Sequence, residues 1–497
     1  MAKTFNLASL NLAKGTHSIT CKAKADGYRT SAFSTAVSFR VYGITGSCVG
    51  ALLDGTTEYS STVAQGASKA ISVTANGTTY KLPTSIFVNG VECAAGSTTR
   101  NVTYSRISNT SGIISASNLA VDISLSVTAD AITPNTIVGF TGLANETPAL
   151  TLTDAIASVP MWTTTQSGYY TNINNQLDSY FPFNEIKEFT DDSGNVFVSF
   201  PKMWVKWENN SAGIISGIKI ANYQPDSSYK LPNAFNKPNS STANAFFAIG
   251  KYEASGSTSK IYSKSGQPCL NAKTRAEFRG AARAYGTAGN SYNGYQQMDA
   301  QMWTIYNLLV MMYLRTPNLS QVYGGRSSAT DTGHTWTTAA QTGSTDGVTT
   351  LCGWNTSTDC VKMLGVENPY GNLDAWLDGL VSSGSSVYSI LRPVNYSDST
   401  SGADTFTSRQ TSNGYVKTLK RGSYTNNWDL AFPADATGTS PDKFIGDYYR
   451  YNANGVVFSV GGCYNNEEGA GLWATFGTHT AAEGNLGVGG RLAYRPT

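Results

Sequence analysis

The stretch Gly446–Pro496 reads GDYYRYNANGVVFSVGGCYNNEEGAGLWATFGTHTAAEGNLGVGGRLAYRP. Two kinds of segment alternate in it. Gly461-Gly462 and Gly469-Ala470-Gly471 let the backbone turn tightly and pack closely, because glycine has no Cβ to strain or to clash. Gly489-Gly490-Arg491-Leu492 is expected to return the chain to the core as a strand, with Arg491 hydrogen-bonded to neighbouring loops. Between these points stand Tyr, Asn, Thr and Phe, expected to face outward. The stretch reads as a rigid frame that displays an adaptable polar and aromatic surface.

Working outward, the region after residue 320 is expected to hold few regular elements. Long Gly-, Ser-, Thr- and Asn-rich loops should run between short strands such as 455–460. Interspersed Trp and Tyr supply buried anchors, which argues against disorder. Upstream lie two helices. Thr274 followed by Glu277 forms a capping box ahead of a helix over 275–285, with Gly286 just past its end. A second helix spans 299–315. Met302, Ile305, Leu309 and Met312 fall on one face, and Pro317 stops it.

Residues 131–180, with Pro134, Pro148 and Pro160, read as a connector. Residues 43–130 carry AISVTA, SIFVNGVEC and AVDISLSVTA between Gly/Asn turns, the pattern of an immunoglobulin-like β-sandwich. Residues 1–42 read as partial strands of the same kind, with Asp26-Gly27 as a hairpin turn. The fold class is thus multi-domain. An all-β immunoglobulin-like N-terminal region precedes an α+β unit over 181–497 with two helices and long irregular loops.

Composition narrows function. Thirty-five Lys and Arg against 33 Asp and Glu give a net charge of +2 and no basic stripe, which argues against nucleic-acid binding. Seven cysteines without a CxxC pair argue against a disulfide framework or zinc ribbon, leaving a Cys352–Cys360 bridge open. The N-terminal MAKTFNLASLNLAKGTH has no apolar core suited to a signal peptide. The longest apolar run, Leu308–Leu314, falls short of the ~20 residues that span a bilayer, so no membrane insertion is expected. The protein is expected to be made in a reducing cytoplasm and released by lysis, as part of a particle.

Four stretches carry a resemblance: FPKMWVKWE (Phe200–Glu208) with GKYEA (Gly250–Ala254); KTRAEFRGAARAYG through MWTIYNLLVMMYLRT; LGVENPYGNLDAWLDGL (Leu364–Leu380); and the tail quoted above. They resemble the C-type-lectin-like, formylglycine-generating-enzyme-type domain of phage tail fibres, and within that group the variable proteins of diversity-generating retroelements. The third stretch is similar to the pattern GxENxWGNxxxWxDG, and the tail to VGGxWxNGxxAGxF…GxRL. The resemblance implies a receptor-binding protein of a virion tail tip or fibre, with other tail proteins and a bacterial host surface protein or glycan as partners. It also implies a homotrimer.

In that family adenine-containing codons are randomised, which implies exchangeable positions at Tyr448, Tyr449, Tyr451, Asn452, Asn454, Cys463, Tyr464, Asn465, Asn466, Thr475, Phe476, Thr478 and His479. Trp473, Glu467, Glu468 and Glu483 fall outside the reachable set and are assigned to the frame. Independently of the family, Tyr with Ser, Gly and Asn is the composition of adaptable paratopes.

No catalytic residue, metal ligand or cofactor is expected. Formylglycine formation in the resembled fold needs a close cysteine pair near the C-terminus, and Cys463 stands alone there. The Glu367-Asn368-Pro369 order differs from sugar-binding calcium motifs, and Asp374 with Asp378 is too few carboxylates for calcium. His17, His334 and His479 accompany no GxSxG turn. The alternative to the tail protein is a bacterial cell-surface lectin-like variable protein, with the oxidase a more distant third.

Overall fold

The computed structural model describes residues 13–19, 37–49, 51–76, 80–108, 111–128, 130–131, 135–285, 293–328, 333–422 and 426–497. The Asp26-Gly27 turn, Pro134 and Gly286 lie outside them. The described chain is mostly β-sheet with two α-helices, and it divides into two compact units, Met1–Pro134 and Asn135–Thr497.

In the first unit, one sheet runs Gly15–Ile19, Val37–Val49, Ile123–Thr128, Ser85–Val88, Val91–Ala94, with Glu58–Ala64 also paired to Val37–Val49. A second runs Ala51–Leu53, Ser68–Ala75, Ser111–Ser117, Val102–Arg106, Thr98–Thr99. Both have one apolar face. Ile123–Thr128 alternates buried and exposed residues along its length, as a half-buried strand should. Ile44, Ile71, Val73, Ile86, Val102, Tyr104, Ile114 and Leu125, drawn from both sheets, form a single core.

The expected break after residue 42 is absent. Strand Val37–Val49 runs through it and pairs in parallel with Ile123–Thr128. Gly46 within it serves close approach: a Cβ there would lie 2.5 Å from Leu53 Cδ1.

The second unit is built around helix α2, Ala300–Leu314. Every one of its residues is buried, not only the stripe of Met302, Ile305, Leu309 and Met312. Asp299 caps it, accepting from the backbone N–H groups of Gln301 and Met302, and Arg315 ends it in the left-handed conformation at φ 59°. A helix buried all round must satisfy its polar side chains internally. Tyr306 donates to the Met363 carbonyl at 2.8 Å, Tyr313 to Asp178 Oδ1 at 2.7 Å and Asn307 to the Leu472 carbonyl at 2.9 Å. Helix α1, Arg275–Arg283, carries the expected capping box between Thr274 and Glu277.

Residues 135–180 are not a connector. Strand Ile137–Thr141 pairs with Thr151–Asp154 and Ile215–Ala221, and Val138, Phe140, Ile156, Ile173 and Leu177 join the main core. Pro148 and Pro160 punctuate strands here. After residue 320 the described strands are two to five residues long, except Gly471–His479 with nine. There are more of them than expected, because each is short enough to hide in loop-like sequence.

The separated stretches of the C-terminal half meet at two buried polar clusters. Arg491, 1% exposed, donates to the carbonyls of Gly250, Lys251, Glu367 and Asn368. Glu253 accepts from the Leu373 N–H and the Asn372 amide, and Arg279 pairs with Asp378. Strand Leu492–Tyr494 then enters the sheet between Phe246–Gly250 and Tyr295–Gln297.

Candidate functional site

The platform is a six-stranded sheet ordered Gly414–Tyr415, Tyr448–Tyr451, Gly471–His479, Val457–Gly461, Asp374–Leu377, Val488–Gly489. Its centre is anchored to α2 through Leu472 and through Trp473, whose Nε1 approaches Met311 Sδ at 3.4 Å. Gly461 and Gly462 hold φ of 98° and 79°, accessible to glycine at little cost, and a Cβ on Gly462 would stand 2.7 Å from Ala470. The turn after Val457–Gly461 is thereby fixed, and the loop 463–469 with it.

The candidate residues separate into three groups. Asn452, Asn454 and Asn465 are exposed, and Tyr448, Tyr451, Tyr464, Asn466 and Thr478 are half-buried. Tyr449, Cys463, Thr475, Phe476 and His479 are buried. Two of these do not reach any surface feature, contrary to the outward orientation expected. Tyr449 is fully buried, edge-on to Phe432 and donating to the Gln410 carbonyl at 3.2 Å. Thr475 turns its hydroxyl back to the Trp473 carbonyl at 2.9 Å. Strand alternation is the reason: Tyr449 pairs with Thr475 across the ladder, so both sit at the covered level.

Cys463, Phe476 and His479 are buried but line a cleft of about 460 Å³ together with Tyr464, Asn465, Asn466 and Thr478. Phe476 and Asn466 are shared with a smaller neighbouring cavity of about 140 Å³, which Tyr448 and Tyr415 also line. Tyr451, Asn452 and Asn454 lie elsewhere, at the far end of their strand. Asn452 caps its own turn by accepting the Asn454 N–H at 2.9 Å, and the Arg409 guanidinium lies 4.8 Å from the centre of the Tyr451 ring.

Several lining residues were given no part in the surface by the sequence: Arg450, Asn485 and Leu486 were not singled out, Asp374 was weighed only for calcium and Glu483 was assigned to the frame. Arg450 borders both cavities, and Asp374, Glu483, Asn485 and Leu486 border the larger. Asp374 is the notable one. Its Oδ2 is 3.4 Å from Ser459 Oγ, and its Oδ1 has no hydrogen-bond partner among the described residues. Burial pushes its carboxyl up to about 8, so it holds its proton at neutral pH. Ser459 Oγ is also 3.2 Å from His479 Nε2, and burial holds that imidazole below its usual value. Glu483 Oε1 faces His479 Nδ1 at 3.3 Å.

Asp378, the other carboxylate weighed for calcium, is committed to Arg279. Cys463 is pushed up to about 12, chiefly by burial, which removes thiolate character at neutral pH. Cys352 and Cys360 are free thiols and form no bridge. The sequence signal that could have found the cleft is the period of two: with Tyr449 inward, Tyr448 and Arg450 must share the opposite face.

Among the described residues no helix is long and apolar enough to cross a membrane. Compared with known proteins, the chain matches no family model, and no curated protein is significantly similar to it.

Proposed function

We propose that this chain is an adhesion protein of a phage tail tip or fibre, in which a C-type-lectin-like C-terminal unit presents an exchangeable surface to a bacterial host. An immunoglobulin-like N-terminal unit serves as its mount. The observation that carries the reading is the contrast within residues 446–496. A sheet anchored to a fully buried helix holds Tyr448, Tyr464, Asn465, Asn466 and Thr478 around a concave surface. Tyr offers a large contact area with few rotamers to freeze, and Asn offers adaptable hydrogen bonds. Rigid support lowers the ordering cost of binding.

The surface is smaller than the sequence suggests, because Tyr449 and Thr475 belong to the core. The exchangeable set in this reading is therefore the exposed and cleft-lining positions, with Tyr451, Asn452 and Asn454 as a second, separate patch. Three copies on one fibre would multiply weak single contacts by avidity.

The test is adsorption of purified protein to a panel of bacterial cells. Tyr448→Ala, Tyr451→Ala and Tyr464→Ala should reduce capture on the strain that the wild type binds, while each variant stays folded by circular dichroism. Capture on no strain, or equal capture by the three variants, overturns the reading. Neighbouring DNA supplies an independent check: a near-copy of the last codons differing only at adenines, beside a reverse transcriptase gene.

A further inference from the structure

The cleft beneath this surface has a chemical bias that names a ligand class. Its amides have their oxygens occupied. Asn465 Oδ1 takes the Cys463 thiol at 3.0 Å, Asn466 Oδ1 takes the Cys463 backbone N–H at 2.5 Å, and Asn485 Oδ1 takes the Gly487 N–H at 2.8 Å. Each side chain is thereby oriented with its NH₂ left to donate. Arg450 stands at the border, its guanidinium 5.8 Å from the Tyr448 ring centre and 5.6 Å from that of Phe476, with no ion pair among the described residues. Two aromatic contacts hold that planar group while leaving its N–H edge for a carboxylate. Asp374 adds a buried oxygen without a partner. Leu486, 68% exposed, forms an apolar lip.

We propose that this cleft binds a carboxylate-bearing sugar residue of a bacterial surface glycan, with Arg450 taking the carboxylate and the amides of Asn465, Asn466 and Asn485 donating to the ring and hydroxyl oxygens. The proposal rests on the adhesion reading and gives that surface its substrate class. A volume of about 460 Å³ lies within the range of small-ligand sites. Dense oxygen acceptors match a donor-rich wall, and Asp374 is placed to exchange a hydrogen bond with a hydroxyl. The C–H face of a sugar ring suits Leu486.

The acidic neighbours favour one orientation. Glu483 is turned to His479 and accepts the Thr480 N–H at 3.3 Å. Glu467 and Glu468 line the smaller cavity on the other side of Arg450, where they repel a carboxylate and leave the larger cleft as its place. An acidic peptide could use the same arginine and offer its carbonyls to the amides, but it lacks the ring C–H face that suits Leu486, so a peptide probe separates the two.

The experiment uses the full chain on an array of carboxylate-bearing oligosaccharides of hexuronate and nonulosonate type, each beside its methyl ester, with a pentaglutamate peptide as the protein-like probe. Acidic glycans should be retained, and each ester should bind at least ~10-fold more weakly, the scale expected when a charge-assisted hydrogen bond is lost. Arg450→Gln should bring the acid down to the level of the ester. Asn485→Ala should weaken both forms alike. Because Arg450 is exposed, its variant should keep the wild-type melting temperature.

Equal retention of acid and ester, tighter binding of pentaglutamate, or unchanged binding by Arg450→Gln overturns the proposal. Adsorption to cells with no retained acidic glycan overturns the ligand assignment and leaves the adhesion reading standing. Retained acidic glycans with no adsorption to any cell overturn the adhesion reading instead.

Discussion

Tyr448 lines a surface cavity, while Tyr449, the next residue, is fully buried beside Phe432. Composition treats the two alike, and only strand alternation separates them. Tyr449→Ala should therefore cost ~3–5 kcal/mol in urea unfolding, as large-to-small core changes do. Tyr464→Ala should stay within ~0.5–1 kcal/mol of the wild type. Asp374 gives a pH signature. Its folded value, about 8, lies above that of an unfolded carboxyl. The folded state thus binds the proton more tightly, so its contribution is present at low pH and fades between about pH 4 and 8. Asp374→Asn should match the wild type at pH 4 to within ~1 kcal/mol and exceed it by at least ~1 kcal/mol at pH 9, read from thermal melts. A wild-type stability that falls identically in the variant would refute this.

Among the elements, α2 controls the site from below. Its first turn is capped by Asp299, whose Oδ2 also takes Arg495 Nη2 at 2.6 Å and the Tyr396 hydroxyl at 3.0 Å. Asp299→Ala removes a helix cap and leaves a buried guanidinium without its charge partner. The expected loss is ~3–5 kcal/mol, with loosening of the C-terminal sheet visible in amide exchange. The Thr274–Glu277 capping box and the Pro317 stop were legible because they are local chemistry. The complete burial of α2 was not. Asn307 and Tyr313 look like solvent-facing polar positions until distant carbonyl and carboxylate partners are supplied by Leu472 and Asp178. Residues 135–180 misled for a related reason. Pro148 and Pro160 mark local breaks, and no local feature reports that Ile137–Thr141 finds a strand some 75 residues later.

At the scale of the whole molecule, the core clusters of the described residues fall within the two units: one spans Tyr42–Val127 and the other two lie within Val138–Ala493. Each unit therefore owns the apolar surface that stabilises it. Calorimetry should resolve two unfolding transitions. A fragment Asn135–Thr497 should keep the transition of the second unit within a few degrees and retain its cell adsorption. A single transition shared by both units, or an unfolded fragment, would contradict that division.

By itself, the sequence determined the β-rich, two-helix character, the glycine frame of the tail and the buried role of Arg491, because each follows from period, propensity or the special geometry of one residue type. It also contained most of the cleft-lining residues. What the tertiary structure alone decided was which of them face the cleft, how Asp374 and Arg450 come to join residues 463–488, and which donors are left over once neighbours have taken their acceptors. Those facts depend on partners far apart in the chain, and a hydrogen bond or a burial level exists only when both sides of it have been brought together.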